Sequence, residues 1–135
     1  MRLTLSPAHW RQMLRHVQNC LPEEACGLIA GKHGIVDTLF IVENELHSPV
    51  RFRMKPEDQL KALIWMENHR KDLLGIYHSH PSGPDYPSFT DMAENAYPHV
   101  VMLIWSPSLT GWQLHGYKAA GTQYLPVEVV GNTIS

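Results

Sequence analysis

Two rhythms run through the hydrophobic positions of this chain. One repeats every three to four residues. Within SPAHWRQMLRHVQNC, Trp10, Met13, Leu14 and Val17 recur at helical spacing, which predicts an opening helix with one apolar face. Ser6 is placed to cap it, and Pro7 suits its first position. KPEDQLKALIWMENHRKDLL is the second stretch of this kind. Pro56 starts it, Glu57 and Asp58 sit at its positive end, and Lys71 falls near its close. Leu60, Leu63, Ile64 and Glu67 mark the face expected to pack. SFTDMAENA predicts a third, short helix.

The other rhythm belongs to strands. IVDTLFIVEN is rich in β-branched residues. Gly31 and Gly34 join it to the small, apolar run from Cys26 to Ala30, which predicts a hairpin. Phe52 and Met54 alternate with Arg51 and Arg53, as in a short strand. LLGIYHSH reads as a buried strand ended by Pro81. HVVMLIWS reads as a strand buried on both faces. TGWQLHGYKAA alternates behind Gly111, and in QYLPVEVVG the proline, Pro126, points to a sheet edge. The order is helix, three strands, helix, strand, helix, three strands. This is an α/β (α+β) arrangement: a single mixed, mostly antiparallel sheet flanked by helices. It lacks the strict alternation of a doubly wound fold. No repeat, linker or low-complexity segment interrupts it, so residues 1–135 read as one domain.

Composition narrows the function. A chain of 135 residues suits one domain with a sizeable core. Hydrophobic residues make up 44% and charged residues 18%, the balance of a folded protein. Net charge is -2 with His neutral, and no Lys/Arg run stands out. Nothing draws such a chain to a phosphate backbone, so nucleic acid is not the expected partner. MRLTLSPAHW lacks the apolar core of a signal peptide, and no apolar run approaches the roughly 18 residues that a membrane span needs. No membrane association is expected. Cys20 and Cys26 form neither C-x-x-C nor a disulfide framework. Reduced thiols in a cytoplasmic protein are the expectation.

The chemistry concentrates in HSHPSGPDYPSFTD, residues 78–91. His78 and His80 are two apart, so on a strand both imidazoles share a face and Ser79 points away. A helical metal site would use the i, i+4 spacing instead. The following loop, PSGPDYP, is stiffened by Pro81, Pro84 and Pro87 and loses less entropy on ordering. It can fold the next helix back over the strand end, with Asp91 in the first turn facing the imidazoles. Two nitrogens and one oxygen leave a fourth position for water, the pattern of catalytic zinc. Iron in a two-His, one-carboxylate site competes by ligand type. The bland alternative is a strand end, a turn and a helix cap, because Ser88 and Asp91 form an S-x-x-D capping pair. The two are compatible, since a cap can orient a ligand. Upstream, Glu23 and Glu24 are both candidate acids, and the residues alone do not separate them. Cys26 reads as core packing, as do Trp65, Trp105 and Trp112. His9, His16, His33, His47, His69, His99 and His115 show no ligand spacing and read as surface or hydrogen-bonded structural residues. Tyr77 points opposite to the ligands.

HSHPSGPDYPSFTD also resembles the JAMM signature, H-x-H-P followed by S-x-x-D, with ten residues between the second His and the Asp. EACGLIAG is similar to that family's E-x-C-G-L-h-x-G segment, where h is apolar. PVRFRMKPEDQLKAL and GIYHSHP resemble its compact prokaryotic members, and the likeness runs from about Leu3 to Val130. The chain thus resembles a JAMM (MPN-plus) zinc metalloprotease domain. The resemblance implies an MPN-like fold and one catalytic zinc ion held by His78, His80 and Asp91. It implies Glu24, two before Cys26, as general base, with Glu23 a solvated neighbour, and Ser88 as a stabiliser of the oxyanion. It further implies hydrolysis of the peptide or isopeptide bond after the C-terminal Gly-Gly of a ubiquitin-like or sulfur-carrier protein. Three other expectations compete: a non-catalytic MPN-type scaffold, which missing ligands would favour; an iron-dependent oxygenase; and a metal-dependent hydrolase of small amides.

Overall fold

Leu3 and Leu5 alternate with Arg2 and Thr4, and that short rhythm makes the first strand, β1 (Arg2–Leu5). Four residues carry too few alternations to announce a strand, so β1 is not among the elements predicted from sequence. The computed structural model describes residues 2–131. Helix α1 (Pro7–Cys20) follows, with Ser6 Oγ accepting from the His9 amide at 3.1 Å. Met13 and Val17 are buried on its inner face, with Trp10 and Leu14 beside them.

Strands β2 (Cys26–Lys32) and β3 (Ile35–Val42) form the expected hairpin. Its two turn residues, His33 and Gly34, have φ of 54° and 76°. Both lie in the left-handed region, as a turn matched to strand twist requires. Gly27 within β2 has a different reason. A Cβ there would lie 2.3 Å from the Tyr77 ring and 2.4 Å from the Phe40 carbonyl.

The strand expected over 51–54 does not form. Among the described residues only an isolated bridge joins Asn44 to Met54, with the Glu45 amide bonded to the Arg53 carbonyl and the Lys55 amide to the Glu43 carbonyl, each at 2.9 Å, and the Asn44 side chain takes up further backbone groups nearby. Helix α2 (Pro56–Asn68) does form, but of the face predicted to pack only Leu63 joins the inner cluster. Ala62 and Met66 are buried, whereas Leu60 and Ile64 are 59% and 50% exposed. Apolar residues run nearly all round this helix, so its period could not select a side. The sheet selects the side where small Ala62 permits close approach to Cys26, Leu28 and Ala30.

Strand β4 (Asp72–Ser79), helix α3 (Phe89–Ala93) and strands β5 (Val101–Ser108), β6 (Gly111–Ala120) and β7 (Gln123–Gly131) complete the chain. The sheet runs β1-β3-β2-β4-β5-β6-β7 and closes on itself. It is mixed: β4–β5 and both pairings of β1 are parallel, and the other neighbours are antiparallel. The closure departs from an open sheet because β1 sits between β3 and β7. Pro126 marks an edge only locally, since β1 covers β7 from Glu128 onward. Among the described residues no helix is long and apolar enough to cross a membrane.

The sheet packs on both faces. Tyr77, Ile29, Leu103 and Trp105 join α1 in one cluster, and Cys26, Leu28, Ala30 and Val42 join α2 in the other. His78, adjacent to Tyr77, therefore faces the α2 side. β2 and β4 pair with Cys26 opposite His78. Continuing that antiparallel register by two places sets Glu24 against His80.

Candidate metal centre

The sheet delivers the two histidines where period-two geometry expects them. His78 Nε2 and His80 Nε2 lie 3.1 Å apart at the end of β4. Ser79 points away between them and accepts from the Ala25 amide at 2.8 Å. Tyr77 also faces away, as predicted, and its hydroxyl lies 2.6 Å from His16 Nδ1.

The loop after β4 brings in the carboxylate. Asp91 Oδ2 is 3.0 Å from His78 Nε2 and 3.0 Å from His80 Nε2. Three contacts pin the loop. The Gly83 amide donates to the His80 carbonyl at 2.9 Å, His80 Nδ1 donates to the Pro84 carbonyl at 2.8 Å, and Tyr117 Oη of β6 donates to the Asp85 carbonyl at 2.6 Å. Ser88 and Asp91 then cap α3 reciprocally. Ser88 Oγ accepts from the Asp91 amide at 3.0 Å, and the Ser88 amide donates to Asp91 Oδ2 at 2.9 Å. The cap and the cluster are thus one structure. Holding Asp91 at N3 of the helix is what aims its oxygen at the imidazoles.

A carbonyl can only accept, so the Pro84 contact places a proton on His80 Nδ1. Neutral His80 then presents a lone pair at Nε2 to Asp91 Oδ2, a second acceptor 3.0 Å away. A proton or a cation between the two relieves that contact. The three atoms form a triangle with edges of 3.0, 3.0 and 3.1 Å. Zinc with bonds of about 2.0–2.1 Å sets tetrahedral ligand atoms about 3.3 Å apart. The triangle is therefore slightly smaller than the face of such a site, and its two-nitrogen, one-oxygen donor set fits that ion.

Electrostatics point the same way. Burial lowers the affinity of His78 for a proton, and its Nδ1 is buried with no hydrogen-bond partner. For His80, burial works downward, but the hydrogen bonds to Asp91 and Pro84 leave it raised. Burial works against the Asp91 carboxylate, yet hydrogen bonds from His78, and from His80 once its Nε2 also carries a proton, hold it well below the usual range. It is an anion facing two imidazoles.

Glu24 stands beside this group. Donor atoms of Glu24, His78 and His80 all lie within 4.8 Å of one another. Glu24 is buried, and its Oε1 has no hydrogen-bond partner. Burial pushes its carboxyl up to about 8, with His80 lowering it and Asp91 raising it. Glu23 turns outward to His47 Nδ1 at 3.0 Å, so the structure separates the two acids that the residues alone left open. Cys26 lies in the core against the Val42 carbonyl, and burial pushes its thiol up, so it is not a ready nucleophile.

Sequence reasoning missed Phe52, Asn44 and Tyr117. The Phe52 ring stacks on His78 at 4.5 Å and 22°, and Tyr117 holds the loop from another strand. Neither has a spacing that would flag it. A cleft of about 280 Å³ opens beside His78 and Asp91, with Phe52, Met54 and Ile76 along its wall. Arg51 and Glu94 pair across its rim at 3.0 Å.

Known proteins share this chain's pattern. The profile described as "Prokaryotic homologs of the JAB domain" matches residues 6–115. A desampylase of Pyrococcus furiosus is 37% identical over 86 residues, which cover 64% of this chain and 61% of that protein. A CysO-cysteine peptidase of Mycobacterium tuberculosis is 35% identical over 82 residues, covering 59% of this chain and 56% of the relative. The match thus spans less than two thirds of either curated relative. The solution structure of protein DSY2949 from Desulfitobacterium hafniense superposes with a TM-score of 0.86 at 29% identity, covering 98% of this chain and 93% of that one.

Proposed function

The chain belongs to the family of prokaryotic homologs of the JAB domain, and from that membership we propose a zinc-dependent peptidase or isopeptidase. Its substrate is a ubiquitin-like or sulfur-carrier protein, cut after a C-terminal Gly-Gly. The observation that carries the proposal is the triangle of His78, His80 and Asp91 with the unpartnered Glu24 carboxylate beside it. Relatives named as a desampylase and a CysO-cysteine peptidase support the substrate class. Two free thiols are in keeping with work in the cytoplasm.

His78, His80 and Asp91 would hold the ion. Zinc bound there supplies Lewis acidity and lowers the pKa of a water ligand from 15.7 to about 7. The remaining work falls to the chain. Glu24 accepts a proton from the attacking water and returns it to the departing amine. Burial favours its neutral form, and the charge of a cation held by the three neighbours would favour the carboxylate that a base must be, while its Oε1 has no hydrogen bond to give up. Ser88 Oγ accepts from the Asp91 amide and keeps its own proton, which it can donate to the oxygen where negative charge develops. No side chain needs to form a covalent bond with the substrate.

The test is incubation of zinc-loaded protein with small ubiquitin-like carriers extended past Gly-Gly, either by one amino acid or through a lysine. Mass spectrometry should show release of a carrier ending in Gly-Gly. Full zinc loading with no cleavage across that panel would sink the proposal and favour a scaffold or a hydrolase of small amides.

A further inference from the structure

Glu24 is held by groups that belong to no strand. Its amide donates to the Ser48 carbonyl at 2.9 Å, and its carbonyl accepts from Asn44 Nδ2 at 3.1 Å. Both partners lie in the connection between β3 and α2. Asn44 is buried there, 7% exposed. Its second Nδ2 proton goes to the Arg51 carbonyl at 3.0 Å, and Oδ1 accepts from the Leu46 and Arg53 amides, each at 3.1 Å. A side-chain amide has two donor protons and two acceptor lone pairs, and here all four are used. Residues 44–54 are folded around this one side chain. The same segment carries Phe52, which stacks on His78.

Glu24 Oε1 has no hydrogen-bond partner. The direction of its side chain is therefore set by where its backbone is pinned and by packing. We propose that Asn44 is the positioning residue that fixes Glu24 against the metal ligands, a role that rests on the reading of Glu24 as the base. No shorter or singly polar side chain can replace it. Asp offers no donor for the Glu24 and Arg51 carbonyls, and Ser or Ala cannot reach four partners.

Kinetics and hydrogen exchange on the zinc-loaded protein test this. The substrate probe is a ubiquitin-like carrier extended past Gly-Gly by one cysteine. Asn44→Ala should keep its zinc and change KM by less than about twofold, while kcat falls about tenfold to a hundredfold, the scale of a displaced catalytic group. Placed on Glu24→Gln, the same substitution should alter the residual turnover by less than about twofold, because residues acting as a unit are not additive. An equal loss in both backgrounds would overturn the proposal. In Asn44→Ala the amides of Glu24, Leu46 and Arg53 should exchange faster, while Leu28 and Tyr77 in the sheet keep their protection. Unchanged exchange at Glu24, or loss of protection throughout the sheet, also overturns it.

Asn44→Asp is the second variant. It keeps the shape and both acceptor contacts and loses both donors. Its kcat should fall with Leu46 and Arg53 still protected, and a normal kcat would count against Asn44. If Glu24→Gln turns over normally, the base assignment fails, while the exchange pattern still decides whether Asn44 tethers Glu24.

Discussion

Ser79 and Ala25 are joined twice. Ser79 Oγ accepts from the Ala25 amide at 2.8 Å, and the Ala25 carbonyl accepts from the Ser79 amide at 3.1 Å. Ser79 lies between His78 and His80, and Ala25 follows Glu24. This doubly bonded pair carries the β2–β4 register on to the residue next to Glu24. Ser79→Ala should leave the buried Ala25 amide short of its acceptor and cost about 1–3 kcal/mol, read from denaturant unfolding of the zinc-free protein. A loss below a few tenths would mean that another acceptor takes over.

Glu24→Gln should bind zinc at the same stoichiometry as the parent and lose at least about a hundredfold in kcat. Metal analysis alongside turnover checks it. Ordinary turnover would remove Glu24 from the base role.

His78→Ala and His80→Ala should each lose both metal and activity, because two remaining ligands make a poor site. Chelator should silence the parent, and added zinc should restore it. Restoration by ferrous iron but not zinc would make iron the working ion, and O2 consumption in place of hydrolysis would favour the oxygenase reading.

Ser88→Ala should show two separable effects. Loss of the cap to the Asp91 amide should cost about 1 kcal/mol of stability. Loss of the hydroxyl proton should cost about a hundredfold or more in kcat with zinc retained. A stability loss alone would leave Ser88 as a helix cap and nothing else.

His47 bridges Glu23 at 3.0 Å and Glu43 at 3.2 Å. The hydrogen bond and charge of Glu23 come first, and with Glu43 they raise its pKa above 6.5. A raised value in the folded state means that the stabilisation is complete below the unfolded value and lost as pH climbs through the folded one. Titration of the His47 ring by NMR should give a midpoint above 6.5, and Glu23→Gln should move it down. A midpoint that ignores Glu23→Gln would show that the ion pair is not formed in solution.

Much of the site could be read from local spacing, because its geometry is local. Period two puts His78 and His80 on one strand face. Three prolines shorten the options of the loop that follows. Asp91 at N3 after Ser88 is a helix start that also aims a carboxylate. Each of these depends on residues within a few positions of one another, and 78–91 encodes them all.

The rest is decided by contacts across the fold. Arg2–Leu5 becomes a strand only because β3 and β7 offer it two open edges. Ala62 and Met66 face inward, and Leu60 and Ile64 do not, because the strands beneath α2 leave room for an alanine. Tyr117 reaches the loop from β6, and Asn44 meets Glu24 from 20 positions away in sequence. Local periodicity fixes which way side chains alternate along an element. It carries no record of which distant backbone groups will need a hydrogen bond, and the Glu24 carbonyl finds its partner only across the fold, in Asn44.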